Sequence, residues 1–253
     1  MKTNVLPIAS RASNSPGRTL VTLLAGASFA AIGAPASAQS FNIDLDVVAS
    51  SMAGAPSSAF GAAAGQTGFW NGVDTYWTNP VALNGLSNNA TSATLLMTTN
   101  APNGFAHWSY NNTSNTGDFA KLLNDCHIVN NNPGPWSNTY TFSGLQSGIY
   151  QVYTYGVRPL TGLSATRVTV TGGTGPATIM GPMPGNSFAL GVTHAIDTVT
   201  VTGGTLVITV DRDPLLMPDG AYVNGFQLIH HVPAPGSAAL LALAGVVMSR
   251  RRR

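Results

Sequence analysis

The sequence predicts an all-β fold, an antiparallel β-sandwich carrying one short helix, and three observations support this. Short alternations of apolar and polar residues, the period of a half-buried strand, recur roughly every 8–12 residues with turn residues between them. Glutamate is absent and the body holds a single lysine, Lys121, so strong helix formers are scarce, while Thr, Asn, Ser and Gly abound. The connections vary widely in length, which favours an open sandwich over a closed barrel.

The elements follow in order. Phe41, Ile43, Leu45 and Val47 alternate with Asn42, Asp44 and Asp46 and predict the first strand. Residues 54–68, rich in Ala, Gly and Ser, read as an irregular loop. Strands are expected over 91–98 and 104–110. The one helix is expected over 117–125, where Phe119, Leu122 and Leu123 share a face. Residues 138–142 lead into the turn Leu145-Gln146-Ser147-Gly148 and on into 149–157, which reads as a hairpin. Further strands are expected over 165–170, 177–180, 187–190, 196–201, 206–211 and 221–230, punctuated by Gly172-Gly173 and Gly203-Gly204.

Both ends of the chain differ from this middle. Lys2, Arg11 and Arg18 form a basic stretch, 20–32 is apolar, and Ala36-Ser37-Ala38 is a small-x-small cleavage site that makes Gln39 the mature amino terminus. The alternative is an uncleaved signal anchor. No cysteine follows the site, which excludes a lipoprotein anchor. At the other end, Val232-Pro233-Ala234-Pro235 precedes an apolar run over 236–248 and the cluster Arg250, Arg251, Arg252 and Arg253. As a helix that run spans about 20 Å, short for a bilayer core that needs about 20 residues. The arginines stay on the cytoplasmic side and place the body outside. The domain organisation is therefore a signal peptide over 1–38, one sandwich over 39–231 and a hydrophobic sorting helix over 232–253.

Without these segments the positive charge of the whole chain disappears. The body keeps Lys121, Arg158, Arg167 and Arg212 against nine aspartates, a net charge of −5. No basic patch remains for nucleic acid. Cys126 has no partner for an intramolecular disulfide and reads as a small, semi-buried apolar residue.

The tripartite ending resembles the PEP-CTERM sorting signal, with Ala234 where that family usually carries glutamate. A plain C-terminal membrane anchor is the alternative. The run Thr141-Phe142-Ser143-Gly144-Leu145-Gln146-Ser147-Gly148-Ile149-Tyr150-Gln151-Val152-Tyr153-Thr154-Tyr155 resembles a hairpin of many exported PEP-CTERM proteins, where it lies in a galactose-binding-like jelly roll. Phe69-Trp70-Asn71-Gly72, the segment 118–125 and Gly220-Ala221-Tyr222-Val223-Asn224-Gly225-Phe226-Gln227-Leu228-Ile229 are similar to other parts of those chains. The resemblance implies a jelly-roll-like body sorted at the surface of a Gram-negative-type cell. Export machinery, signal peptidase and an exosortase-type protease would be its partners, with transient anchoring in the inner membrane. It attaches no reaction.

Candidate ligand residues come from the aromatics. Tyr153 and Tyr155 share a strand face with Gln151 and would form a sugar-binding platform if solvated; otherwise they pack under a loop or pair across strands. Trp136, in a Pro- and Asn-rich loop, is the most exposed-looking of Trp70, Trp77, Trp108 and Trp136, and serves as a platform or as a plug over the core edge. Asp211, Asp213 and Asp219 could hold a structural calcium ion or stand as solvated turn residues; no other cofactor is expected. No nucleophile elbow, phosphate loop or zinc-protease helix is present, so a polysaccharide-acting enzyme is the minor reading. The leading expectation is an exported, non-catalytic surface or matrix protein that binds carbohydrate. A coat protein with no defined ligand is the alternative.

Overall fold

The computed structural model describes residues 38–45, 54–74, 79–102, 104, 106–129, 134–160, 162–213, 215 and 220–232. Ala36, Trp77, Asp219, Pro233 to Pro235, the apolar run and Arg250 to Arg253 lie outside them. Among the described residues no helix is long and apolar enough to cross a membrane.

Along the chain the strands are β1 (Phe41–Asp44), β2 (Trp70–Gly72), β3 (Val81–Asn84), β4 (Ala90–Thr99) and β5 (Ala106–Ser109). Helix α1 (Gly117–Leu123) follows, then β6 (Asp125–Val129), β7 (Ser137–Ser143), β8 (Gly148–Tyr155), β9 (Thr166–Val170) and β10 (Ala177–Ile179). The last four are β11 (His194–Val201), β12 (Leu206–Arg212), β13 (Ala221–Val223) and β14 (Gly225–His231). A five-stranded sheet in the order β11-β8-β14-β1-β2 faces a six-stranded sheet in the order β10-β9-β12-β7-β4-β3. A small sheet, β13-β6-β5, closes one side. The expected all-β sandwich with one short helix is therefore present. The pairings are antiparallel except that β2 runs parallel to β1, with Asn42 opposite Trp70. The intervening 54–68 loop lets the chain return in the same direction.

The core lies between the two large sheets. Phe41 and Ile43 of β1, Tyr150 and Val152 of β8, and Phe226 and Leu228 of β14 meet Leu95 and Met97 of β4, Tyr140 and Phe142 of β7, and Ile208 and Val210 of β12. These residues alternate along each strand, as a period of two requires.

The expected hairpin over 138–157 is a corner instead. β7 pairs with β4 and β12 in one sheet, and β8 pairs with β11 and β14 in the other. The reason lies in the inward faces. Tyr140 and Phe142 on one side, and Tyr150 and Val152 on the other, are all buried in the shared core, which two facing sheets achieve and a flat hairpin does not. Gly144, at φ +71°, turns the chain; a side chain there would also strike the Ser92 carbonyl. Residues 187–190, expected as a strand, form a loop, and the expected strand 221–230 breaks at Asn224 into β13 and β14.

The outer face of the five-stranded sheet is covered as well. The 54–68 loop, α1 and residues 183–188 pack on it through Phe60, Phe119, Met183 and Phe188. The rings of Phe119 and Phe188 stack at 4.9 Å, and Phe60 meets Phe119 edge-on at 5.0 Å. Beneath the loop the Gln227 amide donates to Asn42 Oδ1 (2.8 Å) and to the Gly61 carbonyl (3.1 Å), while its Oε1 accepts from Ala64 N (3.3 Å). Gln66 donates to Asn42 Oδ1 at 2.9 Å. These amides bond the irregular loop to a sheet that otherwise offers it no ladder partner. Asn42 and Gln227 can therefore be fully buried without loss.

One buried titratable group gives the fold an acid limb. His127 on β6 stacks on Tyr140, with ring centroids 6.2 Å apart, and burial, helped by the neighbouring charge of His107, lowers its pKa from 6.5 to about 4. The folded protein refuses a proton that the unfolded chain accepts, so this contribution is complete above the unfolded value and is lost as pH falls towards 4. The loss is roughly 3 kcal/mol in all. Urea unfolding at neutral pH and near pH 4.5 is expected to show a steeper decline in the native protein than in His127→Leu. Equal slopes would remove His127 from the account.

Candidate functional site

The small sheet carries a group of aromatic side chains on one face. Trp108 lies opposite Cys126, and Tyr222 opposite Ile128, so the register puts Trp108 and Tyr222 on a common side. Their ring centroids are 6.2 Å apart. Tyr110 follows two residues after Trp108, at 6.5 Å, and is held by its backbone N–H donating to the Asn124 carbonyl (2.8 Å). The guanidinium of Arg158, just past β8, sits 5.5 Å from the Trp108 ring centre and 6.0 Å from that of Tyr222. Asn112 fixes the next residue by donating to the Pro159 carbonyl at 2.9 Å. Burial falls along the row: Tyr222 is buried, Trp108 half-buried, and Tyr110 is 47% exposed. The row thus ends in solvent as a partly open face of aromatic rings with one cation, an arrangement that stacks on apolar ring faces and donates to oxygen.

The residues singled out from the sequence are placed elsewhere. Tyr155 is fully buried: its hydroxyl donates to Gln227 Oε1 (2.5 Å) and accepts from Ala63 N–H (2.9 Å). Tyr153 is 9% exposed and lies beside the His194 ring at 5.8 Å, with its hydroxyl donating to the half-buried Gln151 at 3.5 Å. This corrects the solvated-platform expectation, because the loop cover occupies the face that a sugar would need. Trp136 is half-buried, packs against the core and lies against Gly134, where any side chain would strike its ring. It plugs the core edge. Trp70 is 3% exposed and donates through Nε1 to the Phe60 carbonyl (3.0 Å).

Asp211 is also committed. Both its oxygens accept from Arg167, at 2.7 and 2.6 Å, a bidentate ion pair across β9 and β12. Asp213 accepts from Thr178 Oγ1 (3.2 Å) and from the backbone N–H of Leu215 (3.0 Å). Among the described residues no group of three or more His, Cys or carboxylate side chains is placed to hold a metal ion. Cys126 is buried, its Sγ lies 3.5 Å from the Trp108 carbonyl, and burial pushes its thiol pKa well up. It is not a nucleophile in that state.

A second feature is a polar cleft of about 480 Å³ where the chain enters β1. Gln39, Ser87, Asn89, Thr91, Ser92 and Gln146 supply its polar walls, and none of its lining residues is charged.

Sequence reasoning missed the Trp108–Tyr110–Arg158–Tyr222 group as a unit. The signal available was the spacing of Trp108 and Tyr110, which in a strand puts both on one side. Arg158 and Tyr222 arrive from distant segments, and no local pattern marks them.

No family model and no curated protein matches the chain. Among solved structures, the chain is similar to a protein of Bacillus subtilis, at 12% identity, over 78% of this chain and 41% of that one, with a TM-score of 0.39. It is similar at the same identity and TM-score to an ectodomain from Arabidopsis thaliana, spanning 51% of that chain. A family 35 carbohydrate-binding module from Clostridium thermocellum shares 15% identity over 61% of this chain and all of its own, with a TM-score of 0.32.

Proposed function

We propose that the chain is an exported, non-catalytic β-sandwich of the bacterial surface or matrix that binds carbohydrate on its aromatic face. The observation that carries this reading is the row Tyr110, Trp108 and Tyr222, with the Arg158 guanidinium over Trp108 and Tyr222 and the row opening to solvent at Tyr110. Sugar rings present C–H faces that lie against aromatic rings, and hydroxyl or carboxylate oxygens that accept from a guanidinium. The body carries a net negative charge, so Arg158 would act locally, on a ligand already positioned by stacking.

Export is supported by where the chain enters and leaves the sandwich. β1 and β14 are antiparallel neighbours with Phe41 opposite Leu228, so residue 39 and residue 232 emerge at the same end. A leader ending at Ala38 and a PEP-CTERM-like tail beginning at Val232 can then both be trimmed at one end, leaving the rest of the surface free. Signal peptidase and an exosortase-type protease are the partners this reading requires.

Glycan-array binding by the mature protein tests the proposal. Trp108→Ala is expected to weaken binding about tenfold or more, with an unchanged circular-dichroism spectrum. A mature protein that binds no glycan yet still assembles at the cell surface would instead be a coat protein. Polysaccharide turnover abolished by a single Asp→Asn change would make it an enzyme.

A further inference from the structure

The most specific motif in the sequence, Gly144-Leu145-Gln146-Ser147-Gly148-Ile149-Tyr150, is unused by the aromatic face. It encloses one residue, Gln39, which is only 8% exposed. Four hydrogen bonds hold that residue. Its backbone N–H donates to His230 Nδ1 (3.2 Å), and its side-chain amide donates to the Gly144 carbonyl (3.4 Å). Its Oε1 accepts from Gln146 N–H (2.6 Å) and from the Tyr150 hydroxyl (3.4 Å).

The remaining motif residues shape the same place. The single proton of the Tyr150 hydroxyl is shared between Gln39 Oε1 and the nearer Gln146 carbonyl (3.1 Å), and the Tyr150 ring stacks on His230 at 4.6 Å with 10° between the planes. Any side chain at Gly148 would overlap His230 Nε2, so glycine is what admits the imidazole. The backbone N–H of His230 donates to Ser40 Oγ (2.9 Å), which locks β14 to the residue after Gln39. Ala38, by contrast, is exposed and lines the open cleft.

We propose that this corner and His230 form a binding site for the mature amino terminus, which cleavage after Ala38 creates at Gln39. The inference rests on the export reading. The freed α-amino group keeps the bond to His230 Nδ1, because an amine donates there as an amide does. The side-chain slot fits an amide: the Gly144 carbonyl takes Nε2, and the Gln146 N–H and the Tyr150 hydroxyl face Oε1. The scissile bond adjoins a buried residue, and a protease needs extended chain on both sides of its target, so cutting precedes seating.

Seating has a chemical consequence. A free amino-terminal glutamine cyclises: the amine lone pair attacks its own side-chain carbonyl carbon, a C–N bond forms to close a lactam, and the C–Nε2 bond breaks. Nε2 leaves as ammonia, carrying the proton lost by the amine. The reaction needs the side chain curled back onto the amine. Here both ends are engaged, the backbone nitrogen by His230 and the side chain by residues 144, 146 and 150, so curling back requires those bonds to break. The folded protein therefore protects its own first residue.

The test uses protein matured in its producing cells, followed by intact mass and amino-terminal peptide mapping. The expected result is a chain starting at an open Gln39. In native buffer it should lose ammonia about tenfold or more slowly than in denaturant, since only opened molecules react. Tyr150→Phe and His230→Leu should each bring the native rate towards the denatured one; if His230→Leu does not fold, Tyr150→Phe decides. A chain starting elsewhere overturns both this site and the export reading. A chain starting at Gln39 that cyclises equally fast folded and unfolded, or is indifferent to both substitutions, overturns the site and leaves export standing.

Discussion

Phe226→Ala is expected to destabilise the mature protein by about 3–5 kcal/mol. Phe226 is fully buried on the central strand of the five-stranded sheet and crosses the sandwich to two rings of the opposite sheet. It meets Tyr140 at 4.8 Å and Phe142 at 5.8 Å, both edge to face. Truncation removes the buried ring and both aromatic contacts. It also leaves a cavity between two hydrogen-bonded sheets, which cannot close over it as a loop could. Domains of this size are stable by about 5–15 kcal/mol, so the variant would retain little reserve. Urea unfolding is the measurement: the midpoint should fall with an unchanged slope. Phe226→Leu, which fills much of the space, should cost clearly less. A loss within about 1 kcal/mol of zero for Phe226→Ala would mean that the two sheets do not share this core.

Strand existence was legible wherever alternation is strong, as in β4, β7, β9, β11 and β12, because one face of each is buried and the other open. The alternation in β1 and the run holding β14 were legible too, although both faces of those strands are covered; β6, also covered on both faces, was not, because its residues Asp125–Val129 show no such period. The short β2 and β3 carry too few residues to show a period. Partner choice was not legible at all. The turn 144–147 satisfies the local rules for a hairpin, yet β7 and β8 separate into different sheets, and Tyr140, Phe142, Tyr150 and Val152 all turn into the core between them.

The same limit explains the candidate sites. Alternation placed Tyr153 and Tyr155 together on the outer face of β8, and the structure does so. What alternation does not carry is the third layer. The 54–68 loop reads as irregular surface, but Gln66, Gln227 and Asn42 bond it down over the sheet, and the tyrosines become its underside. Conversely, Trp108 lies on the short edge strand β5 and Tyr110 just past its end, in a sheet whose other strands, β6 and β13, come from remote segments. A platform built by tertiary contact leaves almost no trace in local sequence.

The polar residue that most depends on such contact is Asn224, at the break between β13 and β14, and Asn224→Ala is expected to cost about 3 kcal/mol or more. Its Nδ2 donates to the carbonyls of Leu123 (3.3 Å) and Asp125 (2.7 Å), and its Oδ1 accepts from Val157 N–H (2.7 Å). One fully buried amide thus satisfies the last carbonyl of α1, the first of β6 and the strand exit of β8. Removing it strands three buried backbone groups, each worth about 1–3 kcal/mol unpaired, with part of the loss recovered if water enters. Asn224→Asp sharpens the test. At neutral pH the carboxylate turns an oxygen towards two carbonyls and should be at least as damaging as alanine. Protonation restores one donor and no repulsion, so the introduced carboxyl must have a raised pKa in the folded state. Its penalty relative to Asn224→Ala should then shrink as pH falls, although both variants weaken through His127. A gap between the two that stays constant from neutral pH to about 4.5 would show that the amide's donors are not what holds this junction.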